Sequence, residues 1–214
     1  MNKQEKRATY QTTNTYETLN TLTTQTKNIW IVLHGIGYLS KYFIRYFDEL
    51  NADENYIIAP QAPAKYYLKN EYKYVGASWL TKENRVLETT NVLNYLDAVY
   101  DAEEFPSGCN LIIFGFSQGV SIATRWIASR KLRCDHIILY AGGIPKELNA
   151  VDFDFLDYTK TKVTVIVGDK DQYLTPEVMN SENHRIIELF HGNAKQQIFE
   201  GGHEVKKEIV NKQV

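Results

Sequence analysis

The stretch Leu111-Ile112-Ile113-Phe114-Gly115-Phe116-Ser117-Gln118-Gly119-Val120-Ser121-Ile122-Ala123-Thr124-Arg125-Trp126 decides the architecture of this chain. Its first four residues are apolar without alternation, which suits a strand covered on both faces in a parallel sheet. Gly115 to Gly119 match GxSxG, and the residues after them read as a helix. Three fixed residues are a weak signal alone, and a tight turn that merely needs glycine would also satisfy them. The strand before and the helix after are what a nucleophile elbow requires, and they favour a reactive Ser117. Such a turn strains the serine backbone at its tip. Side chains at Gly115 and Gly119 would collide with the neighbouring strand and helix. The helix start aims the Gln118 amide, with partial positive charge, at the place where an oxyanion would form.

Outward from this turn the same alternation repeats. Short apolar runs at Ile29–Leu33, Tyr56–Ala59, Leu111–Phe114, His136–Tyr140, Val163–Val167 and Gln197–Phe199 predict strands. The last follows the polar Lys195-Gln196 and reads as a sheet edge. Helical spacing is expected over Leu39–Leu50, Lys82–Tyr100, Gln118–Lys131, Pro176–His191 and Val205–Lys212. In the second of these, Val86, Leu87, Thr90, Leu93, Tyr95 and Leu96 form the expected apolar face. The Thr- and Tyr-rich segment from Ala8 to Thr26 predicts an N-terminal hairpin. Strands alternating with helices give an α/β class: a mostly parallel central sheet, helices on both faces and an antiparallel N-terminal edge. At 214 residues, 1–214 reads as a single domain. No insertion of cap-domain length is evident; Gly142 to Lys160 is the longest candidate and reads as a loop with at most a short helix.

Composition removes several function classes. Lys plus Arg is 24 and Asp plus Glu is 26, a net charge of −2, and basic runs are absent. Nothing electrostatic therefore calls for nucleic acid or an anionic membrane as partner. The first ten residues lack the apolar core of a signal peptide, and no run approaches a spanning helix. The two cysteines, Cys109 and Cys134, stand before strands and could approach each other, but free thiols in a reducing cytoplasm are the expectation. A cytoplasmic protein without stable membrane association follows, with the oligomeric state, monomer or homodimer, left open.

A serine hydroxyl needs a neutral imidazole beside it, and the imidazole needs a carboxylate to fix its tautomer. Of five histidines, only His203 follows Ser117 in a glycine-rich loop after a strand, Phe199-Glu200-Gly201-Gly202-His203. His184 and His191 fall in or at the end of a helix, where a solvated ring is the usual explanation, and His136 opens a strand. For the acid, the run ending at Val167 enters Gly168-Asp169-Lys170-Asp171-Gln172-Tyr173-Leu174-Thr175-Pro176. Asp169 is near the strand end and suits bracing of the loop by an Asx-type turn. Asp171 sits further round, where it can reach the histidine loop. Both stay in play, with Asp171 the better placed. The run Ile29–Leu33 ends in His34-Gly35-Ile36-Gly37, whose glycines free the chain to turn the Ile36 N–H toward the Ser117 oxygen as a second oxyanion donor. His34 is read as a structural ring holding that loop.

These pieces, with Ala59-Pro60-Gln61-Ala62-Pro63 and Ser78-Trp79, together resemble the carboxylesterase, phospholipase and acyl-protein thioesterase group of small α/β-hydrolases. They run from Ile29 to His203 in the family's order. The resemblance implies the α/β-hydrolase fold, Ser117, Asp171 and His203 as triad, and the Ile36 and Gln118 amides as oxyanion hole. It also implies no metal and no cofactor. Trp79 is the expected substrate-binding residue. One departure is the segment from Ala64 to Val75, where Tyr66, Tyr67, Tyr72 and Tyr74 stand among Lys65, Lys69 and Lys73. That segment is either a wall of the pocket or an ordinary surface loop.

The expected activity is a carboxylesterase-like serine hydrolase acting on small-molecule esters with short or medium acyl chains. Thioesterase, lysophospholipase and peptidase activities would use the same triad. A silent hydrolase fold that only binds a ligand is the rival from another class, and a binding role places no demand on Ser, Asp and His together. A flavodoxin-like nucleotide binder would need a glycine-rich phosphate loop after its first parallel strand, and there is none.

Overall fold

The structure is a computed structural model that describes residues 2–173 and 176–214. Leu174 and Thr175, in the loop expected to carry the acid, lie outside the described residues. In chain order the strands are β1 (Tyr16–Leu19), β2 (Asn28–Leu33), β3 (Asn55–Pro60), β4 (Ala64–Tyr67), β5 (Val75–Ser78), β6 (Asn110–Phe116), β7 (His136–Tyr140), β8 (Lys162–Gly168) and β9 (Ala194–Phe199). The α-helices are α1 (Ser40–Phe43), α2 (Arg85–Ala102), α3 (Gln118–Arg130), α4 (Pro176–Leu189) and α5 (Lys207–Val210).

Seven strands form one sheet in the order β1-β3-β2-β6-β7-β8-β9. All neighbours are parallel except β1, which runs antiparallel to β3. Successive residues of a strand face opposite sides, and the core divides accordingly. Ile29, Ile31 and Leu33 face one cluster, which contains Val92 and Leu96 of α2, Val120 and Trp126 of α3, and Leu189 of α4. Trp30 and Val32 face the other, with Phe43 of α1, the following Phe47, and Ile209 of α5. Burial on both faces is why these strands read as unbroken apolar runs. The polar β9 is an edge, paired on one side only, as its lysine and glutamines foretell.

Three local expectations are corrected. The N-terminal segment forms no hairpin among the described residues: its single strand β1 pairs with β3, because a main-chain partner at the sheet edge was open to it. In α2 Arg85 and Val86 are exposed, Val86 being 83% accessible, and the buried face is Val92, Leu96 and Val99. The segment from Ala64 is not a loop but a two-stranded antiparallel hairpin, β4 with β5, standing apart from the main sheet. Between β7 and β8 only a short 3-10 turn at Ala150–Phe153 interrupts the connection, and no cap covers the sheet among the described residues. Both cysteines are free. No helix among the described residues is long and apolar enough to cross a membrane.

Parallel register carries the strand ends to one rim. Leu33 of β2 is opposite Gly115 of β6, Phe116 opposite Tyr140 of β7, and Gly168 of β8 opposite Phe199 of β9. The loops leaving these ends hold Ile36, Ser117, Gly142, Asp171 and His203.

Candidate active site

Ser117 sits between β6 and α3 with φ 53° and ψ −117°, a left-handed backbone that costs a non-glycine residue energy. Its N–H donates to the Tyr140 carbonyl at 2.9 Å, which ties the turn to β7. The glycines are obligatory for the reason anticipated. A Cβ on Gly115 would come within 2.6 Å of the Gly119 carbonyl oxygen, and one on Gly119 within 2.0 Å of the Leu33 oxygen. The first turn of α3 therefore lies almost in contact with β2 and β6, and the serine is pushed up at the rim.

His203 arrives from the loop after β9. Its Nε2 is 2.9 Å from Ser117 Oγ and its Nδ1 is 2.7 Å from Asp171 Oδ2. With Oδ2 accepting from Nδ1–H, Nε2 is left without a hydrogen and accepts from the Ser117 hydroxyl. The Asp171 side chain is fully buried, and its second oxygen accepts the Tyr173 N–H at 2.9 Å. The ring of His203 is held edge-on by Tyr173, with centroids 4.8 Å apart, and lies against Phe116 at 5.2 Å. Asp169 points elsewhere: its Oδ1 accepts the Gly201 N–H at 2.9 Å and braces the histidine loop. The two aspartates thus divide the work, one on the ring and one on the loop that carries it.

The Ile36 and Gln118 amides have no acceptor among the described residues. Both residues line the same cleft as Ser117 and His203. The Gln118 side chain, which sequence reasoning passed over, forms a clamp. Its Oε1 accepts the Trp79 N–H at 2.8 Å, and its Nε2 donates to the Leu80 carbonyl at 2.6 Å. Trp79, expected at the substrate, lies beneath the cleft rather than on its lining. Its ring is 1% exposed and does not line the cleft. Instead its indole N–H donates to the His34 carbonyl at 2.8 Å, and the two rings lie 5.1 Å apart. His34 is fully buried, with Nε2 accepting the Ala62 N–H at 3.1 Å and Nδ1 donating to the Gly35 carbonyl at 2.8 Å. Burial pushes its pKa down to about 4, so at neutral pH it is an uncharged strut under the Ile36 loop.

The cleft has a volume of about 590 Å³. Beyond the residues anticipated, it is lined by Tyr38, Tyr173, Val178, Gly143 and Glu182. None of the tyrosines between Ala64 and Val75 lines it, so that segment is surface. Tyr173 was visible in the acid loop, whereas Glu182 looked like any charge on the solvated face of a helix. Among the described residues no group of three or more His, Cys, Asp or Glu side chains could hold a metal ion. A hydroxyl, an imidazole and a carboxylate in one hydrogen-bonded line, beside two free amides, can move a proton off oxygen and hold negative charge on a neighbouring oxygen.

A sequence model described as phospholipase/carboxylesterase matches residues 14–213. No curated protein matches the chain significantly. Among solved structures, the fold is similar to that of acyl-protein thioesterase 2 from Zea mays, with a TM-score of 0.70 over 94% of this chain and 96% of that one at 13% identity. A phospholipase/carboxylesterase from Dyadobacter fermentans superposes with a TM-score of 0.67, covering 97% of this chain and 99% of that one at 22% identity. A Bacillus cereus carboxylesterase does so with 0.62, covering 93% and 91% at 14% identity.

Proposed function

Since the chain belongs to the phospholipase/carboxylesterase family of α/β-hydrolases, we propose that it is a serine esterase that cleaves small esters through an acyl-enzyme on Ser117. The observation that carries this reading is the continuous line from Asp171 Oδ2 through His203 to Ser117 Oγ, with links of 2.7 and 2.9 Å. His203 Nε2 takes the hydroxyl proton as Ser117 Oγ attacks the ester carbonyl. The Ile36 and Gln118 amides hold the oxyanion. His203 then gives its proton to the departing alcohol, and Asp171 stabilises the imidazolium throughout. Water, deprotonated by the same ring, attacks the acyl-enzyme and releases the acid.

The open cleft of about 590 Å³, with no cap over it among the described residues, supports short and medium acyl chains as substrates. The reading also treats the chain as one catalytic unit, because the proposed machinery draws on positions from Ile36 to His203. A fluorophosphonate probe tests it: the reading requires labelling at Ser117, absent in Ser117→Ala. A panel of oxygen esters and thioesters of increasing chain length then ranks the leaving groups. Unlabelled Ser117 in folded protein would defeat the proposal.

A further inference from the structure

Among the described residues lining the cleft, Glu182 alone brings a carboxylate, and that carboxylate has no partner. It projects from α4 across from Gly143, where a Cβ would lie 4.0 Å from either carboxylate oxygen. Among the described residues it has no ion pair and no side-chain hydrogen bond. Neither Arg185 nor Arg125 forms an ion pair with it. Arg185, one turn further along α4, donates to the Pro145 and Leu148 carbonyls. Arg125 is paired with Glu147 at 2.5 Å. The other carboxylate at the site, Asp171, is bonded to His203 and buried. Glu182 is itself half-buried, so its field is less screened than that of a fully exposed side chain.

The rest of the lining fits a positive group. Tyr38 and Tyr173 present aromatic rings to the cleft, with Ile36 and Val178 supplying apolar surface. Aromatic rings and an unpaired carboxylate lining one cleft attract an ammonium by cation–π and charge interactions together, and repel a carboxylate or phosphate. Gly143 leaves open the space directly beneath the carboxylate.

We infer that Glu182 makes this cleft selective for esters carrying an ammonium group, and against anionic ones. The inference rests on the esterase reading and names its substrate class. An aliphatic ester of choline and its neutral isostere, in which the trimethylammonium becomes a tert-butyl group, test it with one acyl chain in common. The readout is the ratio of kcat/KM for the two esters within each protein, so any damage shared by both cancels. The expected result is a ratio that falls at least about threefold in Glu182→Gln, is largely kept in Glu182→Asp, and drops in the parent protein as salt rises from about 10 mM to about 0.5 M. A ratio that is the same in Glu182→Gln and the parent overturns the inference. A ratio in the parent that ignores salt does so without any variant. If the neutral ester is hydrolysed but no discrimination is seen, only the role of Glu182 falls. If no ester is hydrolysed and Ser117 resists the fluorophosphonate, the esterase reading falls and takes this one with it.

Discussion

Asp171 Oδ2 lies 2.7 Å from His203 Nδ1 while Asp169, two residues earlier, spends its carboxylate on the Gly201 N–H. Asp171→Asn turns an amide donor toward Nδ1 and forces the hydrogen onto Nε2, where it faces Ser117 and blocks proton transfer. The expected loss in kcat is about 10⁴-fold. Asp169→Asn keeps an acceptor for Gly201 and should cost less than about tenfold. Steady-state kinetics of both variants decide; a larger loss for Asp169→Asn would reassign the acid.

Trp79 should act on activity through His34 without meeting substrate. Trp79→Phe keeps most of the packing but strands the buried His34 carbonyl that the indole N–H satisfies. The expected cost is about 1–3 kcal/mol in urea unfolding, with kcat lowered and KM nearly unchanged because the Ile36 loop shifts. A rise in KM alone would return Trp79 to the substrate.

Gly119→Ala should be close to intolerable. Its Cβ would meet the Leu33 carbonyl at 2.0 Å, and neither the β2 backbone nor α3 can retreat without breaking the elbow. A loss of more than about 3 kcal/mol, or insoluble protein, is expected. Unfolding free energy within about 1 kcal/mol of the parent would contradict this packing.

Acid should destabilise the fold before its carboxylates titrate. Burial pushes His34 and His136 down to about 4, and Lys162 adds to the effect at His136. Unfolded, both rings take up protons near pH 6.5. Between these values the unfolded chain binds more protons, so this contribution to stability is whole above about pH 6.5 and fades as pH falls toward 4. Unfolding free energy measured from pH 7 to pH 5.5 should decline, and the slope should flatten in His136→Asn. A flat profile over that window would contradict the neutral buried rings.

Much of this was legible in the chain itself, for local reasons. A strand buried on both faces must be apolar throughout, so β2, β6, β7 and β8 announced themselves. β9 is half polar because an edge faces water, and only its last residues stood out. Gly115 and Gly119 flanked Ser117 because the elbow excludes side chains there. Apart from the β4–β5 hairpin, which was read as a loop, the failures share one cause: they concern faces and partners rather than elements. The N-terminal segment has strand-forming residues whether it folds on itself or joins β3. The periodicity of α2 could not reveal that Val86 lies beyond the core. Trp79 is aromatic both in a pocket and beneath one.

The sequence by itself determined the alternation of the main-sheet strands with their helices, and a serine and a histidine with the chemistry to form a relay, because backbone preference, burial and reactivity are written at single positions. Only the tertiary structure decided which aspartate meets the ring, what Trp79 and the Gln118 side chain support, and that Glu182 faces the cleft unpaired. Those are distances between groups remote in the chain, set when parallel register brings separate strand ends to one rim.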